Sequence, residues 1–128
     1  MANRKALTAS NIRYLLTMIK LDQAGKGVRC VDIATNLGLS KPSVHNMMDT
    51  LVQMGFVNRN TYGVAFFTDA GYSIAREYSR YYEQVSKILK VNFPDLDDVQ
   101  TVACFLLAEI PQTGLEKMCS ESKMTFKS

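Results

Sequence analysis

Tryptophan is absent from this 128-residue chain, histidine occurs once, and cysteine and proline occur three times each. Each scarcity excludes something. With His45 as the lone imidazole there is no HExxH pair, and the GxGxxG and P-loop patterns are missing too. The usual zinc, dinucleotide and nucleotide-phosphate signatures therefore do not occur, and an enzyme is not expected. Cys30, Cys104 and Cys119 are too few, and odd in number, for a secreted disulfide framework, so a reduced cytoplasmic setting is the expectation. Long apolar runs are lacking as well. The longest, Val102–Ala108, falls far short of the ~20 residues that cross a bilayer, so no membrane partner is expected. Ile12–Leu21 is broken by Arg13 and Lys20 and does not read as a signal-peptide core.

What is present fits one globular domain. Apolar residues make up 47% and charged residues 21%, ordinary values for a packed protein. A chain of this length buries roughly two-thirds of its unfolded surface and needs no covalent staple. The net charge of +3 hides a division: residues 1–90 carry +6 and residues 91–128 carry −3. A basic front part points towards a polyanion.

Periodicity supplies the elements. Thr8 is placed as the N-cap of a helix with Ile12, Leu15, Leu16 and Ile19 on one face, ended by Gly25-Lys-Gly27. A short helix is expected from about Arg29 to Leu37 with Val31, Ala34 and Leu37 inward. Gly38 follows as a residue free to take positive φ. Ser40 is the next N-cap candidate, and Pro42 sits in a first helical turn, where its missing N–H costs nothing. That helix runs through Val44, Met47, Met48, Leu51 and Met54 to Gly55. The runs Phe56–Asn60 and Val64–Phe67, joined across Thr61-Tyr62-Gly63, read as a hairpin. Thr68 and Asp69 offer capping oxygens to a long helix reaching about Lys90, with Tyr78, Tyr82, Val85 and Leu89 as its buried stripe and Ile88 beside it. Two more helices are expected, from Leu96 to Ile110 and from about Thr113 to Ser122.

Three helices and then a hairpin is the order of a winged helix-turn-helix. Its steric core is a small residue where the two motif helices meet, a glycine in the turn, and an aliphatic plug on the second helix. Ala34, Gly38 and Val44 meet these needs, with Ile33, Leu37, Leu39 and Met47 around them. The motif lays its second helix in the DNA major groove, N-terminal residues towards the base edges. Those residues are Lys41, Pro42, Ser43, His45 and Asn46. Asn46 suits a bidentate contact to adenine, while Ser43 and His45 hydrogen-bond less selectively. Ser40, Lys41 and the helix's first N–H groups suit phosphate, and Arg59, between Asn58 and Asn60, is the wing's candidate contact.

The run from Asn11 to Leu106 resembles the diphtheria-toxin-repressor family, which includes iron-dependent repressors and manganese transport regulators. The segments that carry it are Tyr14-Leu15, Val31-Asp-Ile-Ala34, Lys41-Pro-Ser-Val44, Gly55-Phe-Val57 and Thr68-Asp-Ala-Gly71. The resemblance implies a homodimeric winged-helix repressor, switched on by Mn²⁺ or Fe²⁺, with Ser40, Pro42 and Asn46 at DNA-contacting positions. The family's metal ligands do not carry over. Arg13 and Leu16 stand at the first-helix positions, Tyr81 follows Arg80 where a histidine belongs, and Gln100, Ala103 and Cys104 stand on the later helix. Hard divalent ions want carboxylate and imidazole, so no metal cofactor is expected.

The fold class expected is thus mainly α: a winged helix-turn-helix over residues 1–71, followed by a helical dimerisation region over residues 72–128, continuous with it. The last third explains the second part. Val99, Val102, Ala103, Leu106 and Ile110 form one stripe, while Cys104, Phe105 and Leu107 fill other faces, and a helix apolar nearly all round must be covered on both sides. A second copy is the expected cover, through Val99, Val102, Phe105, Leu106 and Ile110. The expected function is a sequence-specific regulator on a palindromic operator, a repressor by resemblance. The alternatives are a multiple-antibiotic-resistance-type winged-helix regulator, or a winged-helix protein-interaction module that binds no DNA.

Overall fold

The computed structural model describes the backbone of residues 7–127 and the side chains of residues 7–120; the first six residues of the expected 1–71 segment lie outside it. Among the described residues, six helices and three short strands follow one another as α1 (Ala9–Leu21), β1 (Val28–Arg29), α2 (Cys30–Leu37), α3 (Lys41–Gln53), β2 (Val57–Arg59), β3 (Val64–Phe67), α4 (Asp69–Asn92), α5 (Val99–Glu109) and α6 (Gln112–Lys127). The fold is mainly helical, a winged helix-turn-helix with further helices after it. Two compact units divide the chain, residues 13–76 and residues 1–12 with 77–128, and their boundaries fall inside α1 and α4.

Capping defines where α1 begins. The Thr8 N–H donates to Asn11 Oδ1 at 3.0 Å, and the Asn11 N–H donates back to Thr8 Oγ1 at 3.0 Å. This reciprocal pair satisfies amides that have no partner inside the helix. In the unit of residues 13–76, Leu15, Met18, Ile33, Val44, Met48, Leu51, Val57 and Ala65 are buried. The wing is a three-stranded antiparallel sheet in the order β1-β3-β2, with Val28 opposite Ala65 and Val57 opposite Phe67. The sequence suggested a two-stranded hairpin. β1 is only two residues long, too short for a period of two to show.

The inner face of α2 also differs from expectation. Ile33 and Ala34 are buried and Leu37 is half-buried, whereas Val31 is 42% exposed. At about 100° per residue, Val31 lies well off the centre of the Ile33–Ala34–Leu37 stripe, so the i, i+3 spacing picked out one edge of that face. Leu39 is exposed in the turn rather than packed, and Met47 is half-buried.

In the other unit, Tyr78, Tyr81, Val85 and Leu89 of α4, Ala103, Cys104 and Leu107 of α5, and Leu115 and Cys119 of α6 are buried. Tyr81 is wholly enclosed and Tyr82 only half-buried, a one-residue shift of the expected stripe, while Ile88 is exposed. α5 starts at Val99 rather than Leu96, because Asp98 is its N-cap: the Thr101 N–H donates to Asp98 Oδ1 at 3.2 Å. α6 runs past Ser122 to Lys127. Among the described residues, no helix is long and apolar enough to cross a membrane.

Candidate nucleic-acid interface

The turn that aims α3 is built by Gly38. It adopts φ 68°, ψ 35°, while the Leu39 N–H donates to the Ala34 carbonyl at 3.0 Å and closes the end of α2. Space around its Cα is open, so the glycine is required by the left-handed backbone and not by crowding. Ser40 then caps α3. Its Oγ accepts from the Ser43 N–H at 3.3 Å and donates to Ser43 Oγ at 3.0 Å. This leaves the Ser43 hydroxyl proton free to donate outward, beside α3's remaining N-terminal N–H groups.

Val44, Met48 and Leu51 hold α3 to the core. The opposite surface carries the candidates: Ser40, Lys41, Pro42, Ser43, His45 and Asn46 are all exposed. The wing behaves differently from a free arm. Arg59 is half-buried; its Nη2 donates to Asp49 Oδ1, and its Nη1 lies 2.8 Å from Nδ1 of His45. Thus α3 and β2 are bridged by a carboxylate, a guanidinium and an imidazole. A groove of ≈ 580 Å³ runs alongside, lined by His45, Asp49, Gln53, Arg59, Asn60 and Thr61 among others.

The wing tip is set by Asn60, whose Oδ1 accepts from the N–H groups of Tyr62 (2.9 Å) and Val64 (3.0 Å). Tyr62 projects there, 87% exposed. The Cys30 N–H donates to the Gly63 carbonyl at 2.9 Å, tying the start of α2 to the wing. Sequence reasoning missed Asp49 and Tyr62. Asp49 had a usable signal, since it lies four residues after His45 and shares its face; Tyr62 had none beyond its place in the turn.

The residues at the resembled metal positions offer neither carboxylate nor imidazole. Leu16 and Ala103 are buried hydrocarbon side chains, Cys104 is a buried thiol, and the Arg13 Nε is buried. Among the described residues, no group of three or more His, Cys, Asp or Glu side chains could hold a metal. One thiol and one amide do not match Mn²⁺ or Fe²⁺.

The model of the IclR helix-turn-helix domain matches residues 15–61, which run from α1 to the wing. No curated protein matches the chain. Among solved structures, the hypothetical protein SSo2273 from Sulfolobus solfataricus is 24% identical, covering 90% of this chain and 88% of that one, with a TM-score of 0.59. The manganese regulator SloR is 16% identical with a TM-score of 0.70, and ScaR, solved with bound Zn²⁺, is 17% identical with a TM-score of 0.66. In both cases 88% of this chain is covered and 53% of the other, so the chain spans about half their length. These likenesses establish the winged-helix fold. The matching helix-turn-helix model is of the IclR type, so the resemblance to the diphtheria-toxin repressors holds at the level of that fold and no further.

Proposed function

We propose that this chain is a sequence-specific DNA-binding transcriptional regulator, acting as a homodimer on a palindromic operator and as a repressor, without a metal switch. The observation that carries the reading is the surface of α3. Ser43, His45 and Asn46 stand exposed on it while Val44, Met48 and Leu51 anchor the opposite side. A helix fixed this way can enter a major groove without uncovering its core. In this reading Asn46 reads an adenine edge, His45 and Ser43 add hydrogen bonds to bases, and Ser40, Lys41 and the helix N-terminus hold phosphate. Pro42 sets the backbone of the first turn, and Arg59 ties the wing to α3 beside the bases.

Residues 1–71 form the DNA-binding part and residues 72–128 the dimerisation part. Phe105 and Leu106 are exposed on α5, and Val99, Val102 and Ile110 are half-buried. A two-fold partner on these residues would set two α3 helices one DNA turn, ~34–36 Å, apart.

Selection of bound sequences from random duplexes, with and without Mn²⁺, tests the whole reading. Enrichment of an inverted repeat with half-sites one turn apart, unchanged by the ion, is the expected outcome. No enrichment, with binding insensitive to salt, would leave a protein-interaction module, because duplex binding must weaken as salt rises.

A further inference from the structure

A carboxylate on a surface that meets DNA is an anomaly, because it repels phosphate. Asp49 is such a group: its side chain is 59% exposed, on the same face of α3 as His45. Its partner is Arg59, reaching across from β2, and Arg59 also meets His45 at Nδ1. The chemistry of that second contact is restrictive. A guanidinium only donates, so Nδ1 must accept, and a neutral imidazole that accepts at Nδ1 carries its proton on Nε2.

We propose that Asp49 is the positioning residue of the interface: by anchoring Arg59 against His45, it fixes His45 as an Nε2–H donor to a base acceptor and holds Arg59 away from the phosphates. This assignment rests on the DNA-binding reading and adds to it the mode of contact at one base pair. The acceptors available in a major groove are purine N7, guanine O6 and thymine O4. His45 without Arg59 exchanges its ring proton between both nitrogens and presents either a donor or an acceptor. Arg59 without Asp49 is a free cation near DNA, which strengthens binding to any sequence.

Two measurements test it. In the free protein, ring ¹⁵N NMR of His45, the chain's one histidine, shows a protonated Nε2 and a hydrogen-bonded Nδ1. In Asp49→Ala and in Arg59→Gln the Nδ1 signal moves to the position of an unbonded imidazole, and Asp49→Glu restores it. With DNA, affinities are measured for the selected operator, for each of its single-base-pair variants and for an unrelated duplex. Asp49→Ala lowers discrimination about tenfold at the same base pair that His45→Ala affects, and the double variant loses no more than either single one. It also binds the unrelated duplex more tightly, with a salt dependence steeper by about one counterion.

An Nδ1 signal unchanged by Asp49→Ala overturns the proposal. So does loss of discrimination at a base pair that His45→Ala leaves alone, since Asp49 would then itself be accepting from a cytosine amino group. If the NMR result holds but no duplex is bound by wild type, the DNA-binding reading fails, and the base contact proposed here falls with it.

Discussion

A β-carbon added to Gly71 would stand 1.9 Å from the carbonyl oxygen of Phe56. The first turn of α4 therefore lies directly on the backbone that leads from α3 into the wing. Thr68 secures the same junction. Its N–H donates to that Phe56 carbonyl at 3.0 Å, its Oγ1 donates to the Gly55 carbonyl at 2.7 Å, and its Oγ1 accepts from the Gly71 N–H at 3.0 Å. Gly71→Ala must push backbone apart, and overpacking of that kind costs about 3 kcal/mol. Gly38→Ala, where the Cα faces open space at φ 68°, should cost only the left-handed penalty of about 1 kcal/mol. Urea unfolding of the two variants checks the order; equal midpoints would mean that the α4 contact is not tight.

Ser40→Ala removes the acceptor for the Ser43 N–H and should lower stability by about 1 kcal/mol, with Ser40→Asp close to wild type. The measurement is again the urea midpoint. The same variant frees the Ser43 hydroxyl from Ser40, so its effect on duplex affinity should exceed what the change in stability explains.

The order of elements was legible in the sequence because its punctuation is strong: Thr8, Gly38, Ser40-Lys-Pro42 and Gly55 sit where helices start or stop. The candidate surface followed from the same spacing, since Val44, Met48 and Leu51 fix which side of α3 faces inward. What the sequence hid was tertiary. β1 exists only through its pairing with β3, and neither Val28 nor Arg29 announces a strand. The carboxylate–guanidinium–imidazole bridge joins residues ten and fourteen positions apart in the chain, beyond any local period. Tyr81 was hidden for a third reason. From Tyr78 both the i+3 and the i+4 positions lie on the inner face of a helix, so Tyr81 and Tyr82 fit the stripe equally well until packing decides.

Asn46 and Lys41 should fail in different ways. In the proposed interface Asn46→Ala removes a bidentate base contact and should cost ~1–3 kcal/mol at one base pair of each half-site, with little change elsewhere. Lys41→Ala removes a proposed phosphate contact and should weaken all duplexes alike, lowering the slope of log affinity against log salt by about one. Titrations of operator and unrelated duplex at several salt concentrations separate the two. Identical profiles for both variants would remove the distinction between reading and holding on α3.

Tyr81 gives a pH dependence with a definite sign. Burial pushes its hydroxyl above the ordinary value of 10.0, with the Gln112 side chain acting in the opposite direction and Glu77 and Glu116 adding to the rise. A tyrosine raised in the folded state loses its proton first in the unfolded chain. Its contribution to stability is therefore complete below the unfolded value and is lost as pH climbs through the folded one. Burial raises Tyr14 in the same direction. Urea midpoints should fall above pH ~10, and Tyr81→Phe should make that fall shallower without abolishing it. Tyr81→Phe, which removes a buried hydroxyl, should change stability at neutral pH by no more than about 1 kcal/mol. A larger loss at neutral pH would show that the hydroxyl holds a strong hydrogen bond.

Phe105 separates folding from assembly. It lies on α5 with 59% of its surface exposed, whereas Ala103, Cys104 and Leu107 on the same helix are buried. Phe105→Asp therefore removes little from the chain's own core and should leave its helical content and urea midpoint close to wild type at low protein concentration. On a dimer face the same change buries a carboxylate against a two-fold copy of itself, which neither hydrogen bonding nor counter-charge relieves. Sedimentation should then show a monomer where wild type should run as a dimer. Operator affinity should fall about a hundredfold, because each half-site is now bound independently, while affinity for an isolated half-site stays the same. A Phe105→Asp protein that sediments as wild type would move the two-fold contact off α5.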